Sequence, residues 1–484
     1  MTVNLFMELA IACLSVALFI VCLKVLRLVE LSSDIFRILQ EATTVLSSAT
    51  LDEQQKETRI QKLSFRLILI TLRILVVIAA CIAASLVPIL LADMTGWVSL
   101  ASINSLMLDW RFLLPAFVVA IAIMRKPAAK KAVNRYSHGD QFVHRLAFSN
   151  LQIQQRLSYI EDRIVLNHRK IAECPQPVFI TSLPRAGTTI LLRILSECCT
   201  TAVHTYRDMP FLFIPATWTR LSRLSRKNGH CMERAHGDGI LIDYDSPEAF
   251  EETIWMHFWP DKFTGDAIDI WTVHDKNVEM EDFFKRHIAK KVRLSGLESK
   301  YLSKNNANIA RIAYLRRIFP DCRIIVPVRR PLDQAASLLS QHLKFKEMHK
   351  SDPFILDYMR DIGHLEFGLL HKPINFPEFI QFSQRFEVDE IEYWLGYWLA
   401  AARYLIEHAQ ALEFVLYDQL ADKGQIIMTE IVERAGLSCS SKNFTSYFRG
   451  GTTKTDRIEC DAELLAECSS TYDKLTQLAR NTES

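Results

Sequence analysis

The chain has 484 residues, with 57 Lys and Arg against 55 Asp and Glu, a formal net charge of +2. That balance excludes a protein that holds nucleic acid through its overall field. Hydrophobic residues at 49% exclude a mainly disordered chain, and 15 Gly with 16 Pro exclude a collagen-like or low-complexity one.

The mean hydropathy of +0.08 is high, and the excess sits at the N-terminal end. Three apolar runs precede residue 126. Leu9–Leu23 carries no charge and reaches spanning length when extended back to Leu5, with Glu8 snorkelling outward. Ile74–Ala92 is uncharged and contains Pro88; Phe112–Met124 is shorter and borrows Trp110 and Arg111. Spans over about 5–26, 70–92 and 105–124 are expected. The alternative is a two-span hairpin with the first or third run peripheral. No basic stretch precedes the first run and no A-x-A-like site follows it, so it reads as an uncleaved anchor.

Lys and Arg are unevenly shared among the short loops. Residues 1–8 have none, 24–66 have seven, 93–110 have none, and Arg125, Lys126, Lys130, Lys131 and Arg135 follow the third run. The positive-inside rule then predicts a multi-pass membrane protein whose C-terminal bulk faces the cytoplasm. The expected organisation is a membrane region over 1–125, a basic juxtamembrane helical connector over 126–172 with a break at His138-Gly139-Asp140, and a soluble domain over 173–484. The 11 Cys include no C-x-x-C pair and no Cys/His cluster at zinc spacing. They read as free thiols, and no metal is expected.

The soluble domain opens on Val178-Phe-Ile-Thr-Ser-Leu183, a buried-strand pattern. Pro184-Arg-Ala-Gly-Thr-Thr189 and the helix-like Ile190–Leu195 follow at once. Strand, glycine turn and helix aim backbone N–H groups at an anion. Arg185 adds charge, Ala186 and Gly187 let the backbone approach, and Thr188 and Thr189 offer hydroxyls. No Lys precedes Thr188, so the loop is not a Walker A motif. A second unit is Arg323–Val328, strand-like with Pro327 at its end, followed by Arg329-Arg-Pro-Leu-Asp333 and a helix through Ser340. Pro331 and Asp333 are start signals, and Arg329 with Ser337 can converge on one phosphate.

Together the two units resemble the PAPS-dependent sulfotransferase family. The resemblance adds a third segment, Glu413–Leu420 running to Ala435-Gly-Leu437, and covers about 175–440. It implies an α/β fold, a P-loop-like central parallel sheet flanked by helices. It implies PAPS as sulfuryl donor and PAP as product, with the 5′-phosphosulfate held by Arg185, Ala186, Gly187, Thr188 and Thr189. The 3′-phosphate would be held by Arg329 and Ser337, and the adenine would lie near Tyr417. Many members carry Trp where this chain has Ile190, and a late R-K-G loop to which Phe448-Arg-Gly-Gly451 is only a loose counterpart, leaving Arg449 a weak candidate.

For catalysis the resemblance points to Arg185 at the leaving group and to Lys304, 25 residues before Arg329, as a second cation. At the family's His position stands Asn306, which cannot act as a base. The carboxylate solution used elsewhere in the family directs attention to Asp208, with His204 second. Glu248, Glu251 and Glu252 read as the acidic first turn of a helix after Asp245-Ser246-Pro247. Trp255, Phe258 and Trp259 read as core before acceptor pocket. The expected function is a membrane-anchored sulfotransferase acting on a hydroxyl or amine by direct in-line transfer. The expected partners are the lipid bilayer and an acceptor that is a lipid, a lipid-linked glycan or a membrane-proximal molecule, with no nucleic acid. The alternatives are a nucleotide-dependent kinase and an inactive membrane scaffold with a nucleotide-binding fold.

Overall fold

The chain folds as two compact units, 1–133 and 134–484. The computed structural model describes residues 2–26, 38, 53–99, 102–103, 106–107, 109, 138–166, 176–224, 232–233, 241–242, 246–248, 250–440, 443–447 and 458–481. In the first unit, α1 (Thr2–Val25) packs along α2 (Glu53–Met94), with Met7 and Ile11 against Ile89. Among the described residues, Glu57–Met94 is the helix long and apolar enough to cross a membrane, and Met7–Leu23 is a shorter apolar stretch. Leu72, Leu75, Val76 and Leu91 of α2 point outward, which suits an apolar surround. The third expected span lies almost wholly outside the described residues, as do Arg125–Arg135 and Arg449.

The segment read as a connector contains α3 (His138–Phe148) and α4 (Leu151–Val165). Both are built into the second unit: His144 Nε2 lies 2.8 Å from Asp361, and Glu161 and Asp162 lie 3.1 and 2.8 Å from Lys290 Nζ. Helix α3 begins at His138, where the sequence predicted a break.

The second unit is built on a parallel sheet. Its strands are β1 (Val178–Ile180), β2 (Thr201–Ala202), β5 (Lys300–Lys304), β6 (Arg323–Val328) and β7 (Glu413–Leu416), in the order β2-β5-β1-β6-β7. Met232–Glu233 and Leu241–Ile242 (β3 and β4) form a separate antiparallel pair. Side chains alternate between the two faces, as a pleated strand requires. Phe179, Tyr301, Ile324, Val326 and Phe414 join one core. Val178, Ile180, Leu302, Ile325 and Val415 join the other. The second face is covered by α5 (Thr188–Cys198) and α9 (Leu420–Arg434), the first by α6 (Val278–Ser295), α7 (Pro331–Ser351), α8 (Ile391–Glu407) and α10 (Ala462–Asn481). The all-parallel sheet with helices on both faces is the expected architecture.

One local expectation, that the cysteines are free thiols, is overturned. Cys199 at the end of α5 is disulfide-bonded to Cys439, 240 residues away. Spacing along the chain cannot reveal such a partner. Glu251 and Glu252 do open a helix, at the N-cap and first turn of Glu252–Phe258, but the turn is buried: they are 1% and 4% exposed. Glu252 accepts from Arg311 Nη1 at 2.8 Å, and the Arg311 guanidinium lies 4.4 Å from the rings of both Trp255 and Trp271. Trp255 is therefore core, as expected.

Candidate functional site

Strand β1 lies between β5 and β6; the chain leaves the carboxyl end of β1 toward β2 on one side of the sheet and that of β6 toward β7 on the other. That is the crevice in which open parallel sheets bind ligands. The loop 181–187 leaves β1 there and runs into α5. Arg185 has φ +69° and Gly187 φ +99°, both left-handed. For a residue with a side chain this conformation costs about 1–2 kcal/mol. Ala at position 187 would also put its Cβ 2.5 Å from the Tyr417 ring. The loop is thus wound tightly under an aromatic cover, with the amino end of α5 facing the crevice.

The residues singled out from three distant segments meet here. Arg185 Nε donates to Ser337 Oγ at 3.0 Å. Arg329 Nη1 donates to the Arg185 carbonyl at 3.1 Å, and its guanidinium sits 5.2 Å from the centre of the Tyr417 ring. Ala186 is buried, and Thr188 is buried with its hydroxyl donating to Asn306 Oδ1 at 3.2 Å. Thr189 lies beside it, half-buried in the first turn of α5. Gln334, to which the sequence reading gave no role, clamps the loop: its amide donates to the Leu183 and Pro184 carbonyls and accepts from Trp398 Nε1.

Beside the loop opens a small pocket. Pro184, Asn305, Asn306, Glu366, Trp394 and Tyr397 are among its walls. Glu366 is the carboxylate that sequence reasoning missed. Its Oε1 accepts from Asn306 Nδ2 at 3.3 Å, so Asn306 links Thr188 of the loop to a carboxylate in the pocket. Its Oε2 lies 3.3 Å from His364 Nδ1. His371 also lines the pocket, but both its nitrogens are engaged. Nδ1 lies 2.7 Å from the Glu366 carbonyl, which can only accept, so Nε2 accepts from the Tyr393 hydroxyl at 2.9 Å. Burial, with His342 adding to it, lowers the His371 pKa to about 3. It stays neutral and holds the Glu366 backbone.

His204 and Asp208 do not join this pocket. Asp208 closes a one-turn helix at Tyr206–Asp208 by accepting from the Thr205 amide at 2.9 Å. It is 2% exposed and accepts from Lys291 Nζ at 2.7 Å, while His204 Nδ1 lies 3.3 Å away. Burial alone would raise its pKa, but Lys291 and His204 outweigh it and hold the carboxyl far below the usual range. Such a group binds a proton poorly. His204 Nε2 is turned to the buried His287 at 3.1 Å. Lys304 ends β5 in register with Ile180, close below the loop, and its ammonium lies 3.5 Å from Glu248. Among the described residues, no group of three His, Cys, Asp or Glu is arranged to hold a metal.

Residues 177–366 match the model of the family described as Sulfotransferase family. Solved structures that resemble this chain include sulfotransferase STF9 from Mycobacterium avium, at 13% identity and TM-score 0.37, over 64% of this chain and 80% of that one. Sulfotransferase STF1 from Mycobacterium tuberculosis H37Rv matches at 12% identity and TM-score 0.33, over 67% and 83%. A sulfotransferase from Alicyclobacillus acidocaldarius matches at 13% and 0.29, over 63% and 95%. No curated protein matches. Over residues 177–366, then, this chain is similar to the sulfotransferase family.

Proposed function

We propose that this protein is a membrane-anchored sulfotransferase that moves the sulfuryl group of PAPS to a hydroxyl or amine held in the pocket beside the loop. The observation that carries the reading is the meeting of Arg185, Arg329, Ser337 and Tyr417 around Gly187. Two guanidiniums, a hydroxyl and the amino end of α5 suit a ligand with separate anionic groups, and the Tyr417 ring suits an adenine. When bound, PAPS supplies a sulfuryl group whose bond to a phosphate oxygen breaks as its bond to the acceptor forms. Arg185 and the α5 amides then stabilise charge on the departing phosphate.

Glu366 is the base in this reading. Its carboxylate lines the pocket, is oriented by Asn306, and takes the proton that the acceptor oxygen or nitrogen loses. Asn306 thereby positions a carboxylate where the family's usual His would itself act. Leu338, Ile374, Trp394 and Tyr397 give the pocket an apolar wall, which supports an acceptor with an apolar part next to the reacting group.

The apolar helix over Glu57–Met94 supports membrane attachment, and the Lys/Arg distribution supports a cytoplasmic domain. A Cys199–Cys439 disulfide pulls toward an oxidising compartment. Protease protection in sealed vesicles separates the two: digestion of the second unit from the cytoplasmic side supports the orientation, and protection overturns it.

Calorimetric binding of adenosine 3′,5′-bisphosphate, with ADP and ATP as controls, tests the donor site. Binding that requires the 3′-phosphate and is lost in Arg329→Ala supports the reading. Preference for ATP would favour a kinase, and no nucleotide binding by the folded protein would leave a scaffold.

A further inference from the structure

Helix α4 is amphipathic in the inverse sense. Most of the side chains it turns into the domain are polar: Gln154, Ser158, Glu161 and Asp162 are 3%, 1%, 3% and 8% exposed, with Val165 buried at the end of the helix and Leu151 and Tyr159 half-buried against the core. Lys290 of α6, itself buried, donates to Ser158 Oγ at 2.7 Å and pairs with both acids. Arg286 Nε lies 3.0 Å from Asp162. The side chains α4 turns outward are apolar: Ile153, Leu157, Ile160 and Ile164 are 55%, 44%, 57% and 69% exposed. Their spacing of four, three and four residues puts them in one stripe. Leu146 at the end of α3 is also exposed.

A helix facing water arranges itself the other way, because apolar surface left in water is the costly part. The charges on the outer side identify what meets the stripe. The exposed charged residues of α4 are Arg156 and Arg163, and its two acids are withdrawn to Lys290 and Arg286. Aliphatic side chains flanked by cations suit the boundary between acyl chains and anionic headgroups. A symmetric pairing of two copies along this stripe would instead set Arg against Arg. Five basic residues at 125–135 precede α3 in the sequence and suit the same anionic surface.

We infer that α4 is an interfacial membrane helix, with Ile153, Leu157, Ile160 and Ile164 in the headgroup–acyl boundary of an anionic bilayer and Arg156 and Arg163 on its phosphates. The inference rests on the membrane-anchored reading above and adds a second attachment to it. It brings the catalytic unit itself onto the lipid surface.

The test uses the full chain in nanodiscs of phosphatidylcholine and phosphatidylglycerol. The photoreactive amino acid p-benzoylphenylalanine is placed singly at position 160, at 75 in α2, or at 426 in α9, where Ile426 is exposed on a helix covering the opposite face of the sheet. Lipid adducts at 160 and 75 but not at 426, with the yield at 160 lowered by Arg156→Glu plus Arg163→Glu, are the expected result. An adduct at 75 without one at 160 overturns the interfacial helix and leaves the anchor standing. An adduct from 160 to a second copy of the chain, or to residues 1–133, overturns it in favour of a protein partner. Lack of an adduct at 75 sinks the anchor separately.

Discussion

Arg185 Nε donates to Ser337 Oγ at 3.0 Å, although 152 residues separate the two in the chain. The bond joins the loop after β1 to the helix after β6, the neighbouring strand. Parallel pairing brings the carboxyl ends of both strands to the same edge of the sheet, so the turns that follow them become neighbours.

Removing one charge from this junction should weaken donor binding without unfolding the domain. Arg329→Ala is expected to cost about 1.5–3 kcal/mol in adenosine 3′,5′-bisphosphate affinity, roughly 10- to 100-fold, the range for hydrogen bonds to charged groups. Ser337→Ala, which removes a neutral hydroxyl, should cost less. Calorimetry at fixed salt reads both.

Gly187→Ala should be worse than either for the fold of the loop. The added Cβ meets the Tyr417 ring at 2.5 Å, and φ +99° is strained for any residue with a side chain. The expected loss is about 1–3 kcal/mol of stability, measured by denaturant titration, with nucleotide affinity falling too. Tyr417→Ala in the same chain removes the clash but not the strain, so it should restore only part of the stability.

Glu366→Gln separates chemistry from binding. Loss of a general base lowers kcat by about 10²–10⁴-fold, and nucleotide affinity should stay near that of the parent. Asp208→Asn should do the opposite. It leaves Lys291 buried without its carboxylate, at a cost of about 3–5 kcal/mol of stability, while the protein that remains folded keeps its turnover. If Asp208→Asn abolished turnover in a folded sample and Glu366→Gln did not, the assignment of the base would be reversed.

Asp208 also predicts an acid limit. Its folded pKa lies well below the ordinary 3.8, so its contribution is complete above about that pH and is lost as pH falls toward the folded value. The parent should therefore lose stability below pH ~4 more steeply than Asp208→Asn, which starts lower but lacks this proton uptake. Melting temperatures across that range show the difference.

The linear sequence already contained the parts that depend on near neighbours. Apolar length marked Ile74–Ala92 within α2, β-branched runs marked β1 and β6, and the Pro184–Thr189 turn with the Arg329–Ser337 spacing marked the candidate donor site. Each is a local pattern whose physical cause lies within about ten residues. Tertiary packing decided the rest. Asp208 and Glu366 are both carboxylates near polar neighbours in the sequence. Only the fold shows that Lys291, from a helix 83 residues on, draws the first into the core. Only the fold shows that Asn306, at the end of β5, holds the second in the pocket. Cys199 found Cys439 in the same way, and α4 turned its acids inward because Lys290 was there to meet them. A carboxylate's role depends on what surrounds it, and those surroundings come from chain segments that meet only when the sheet closes.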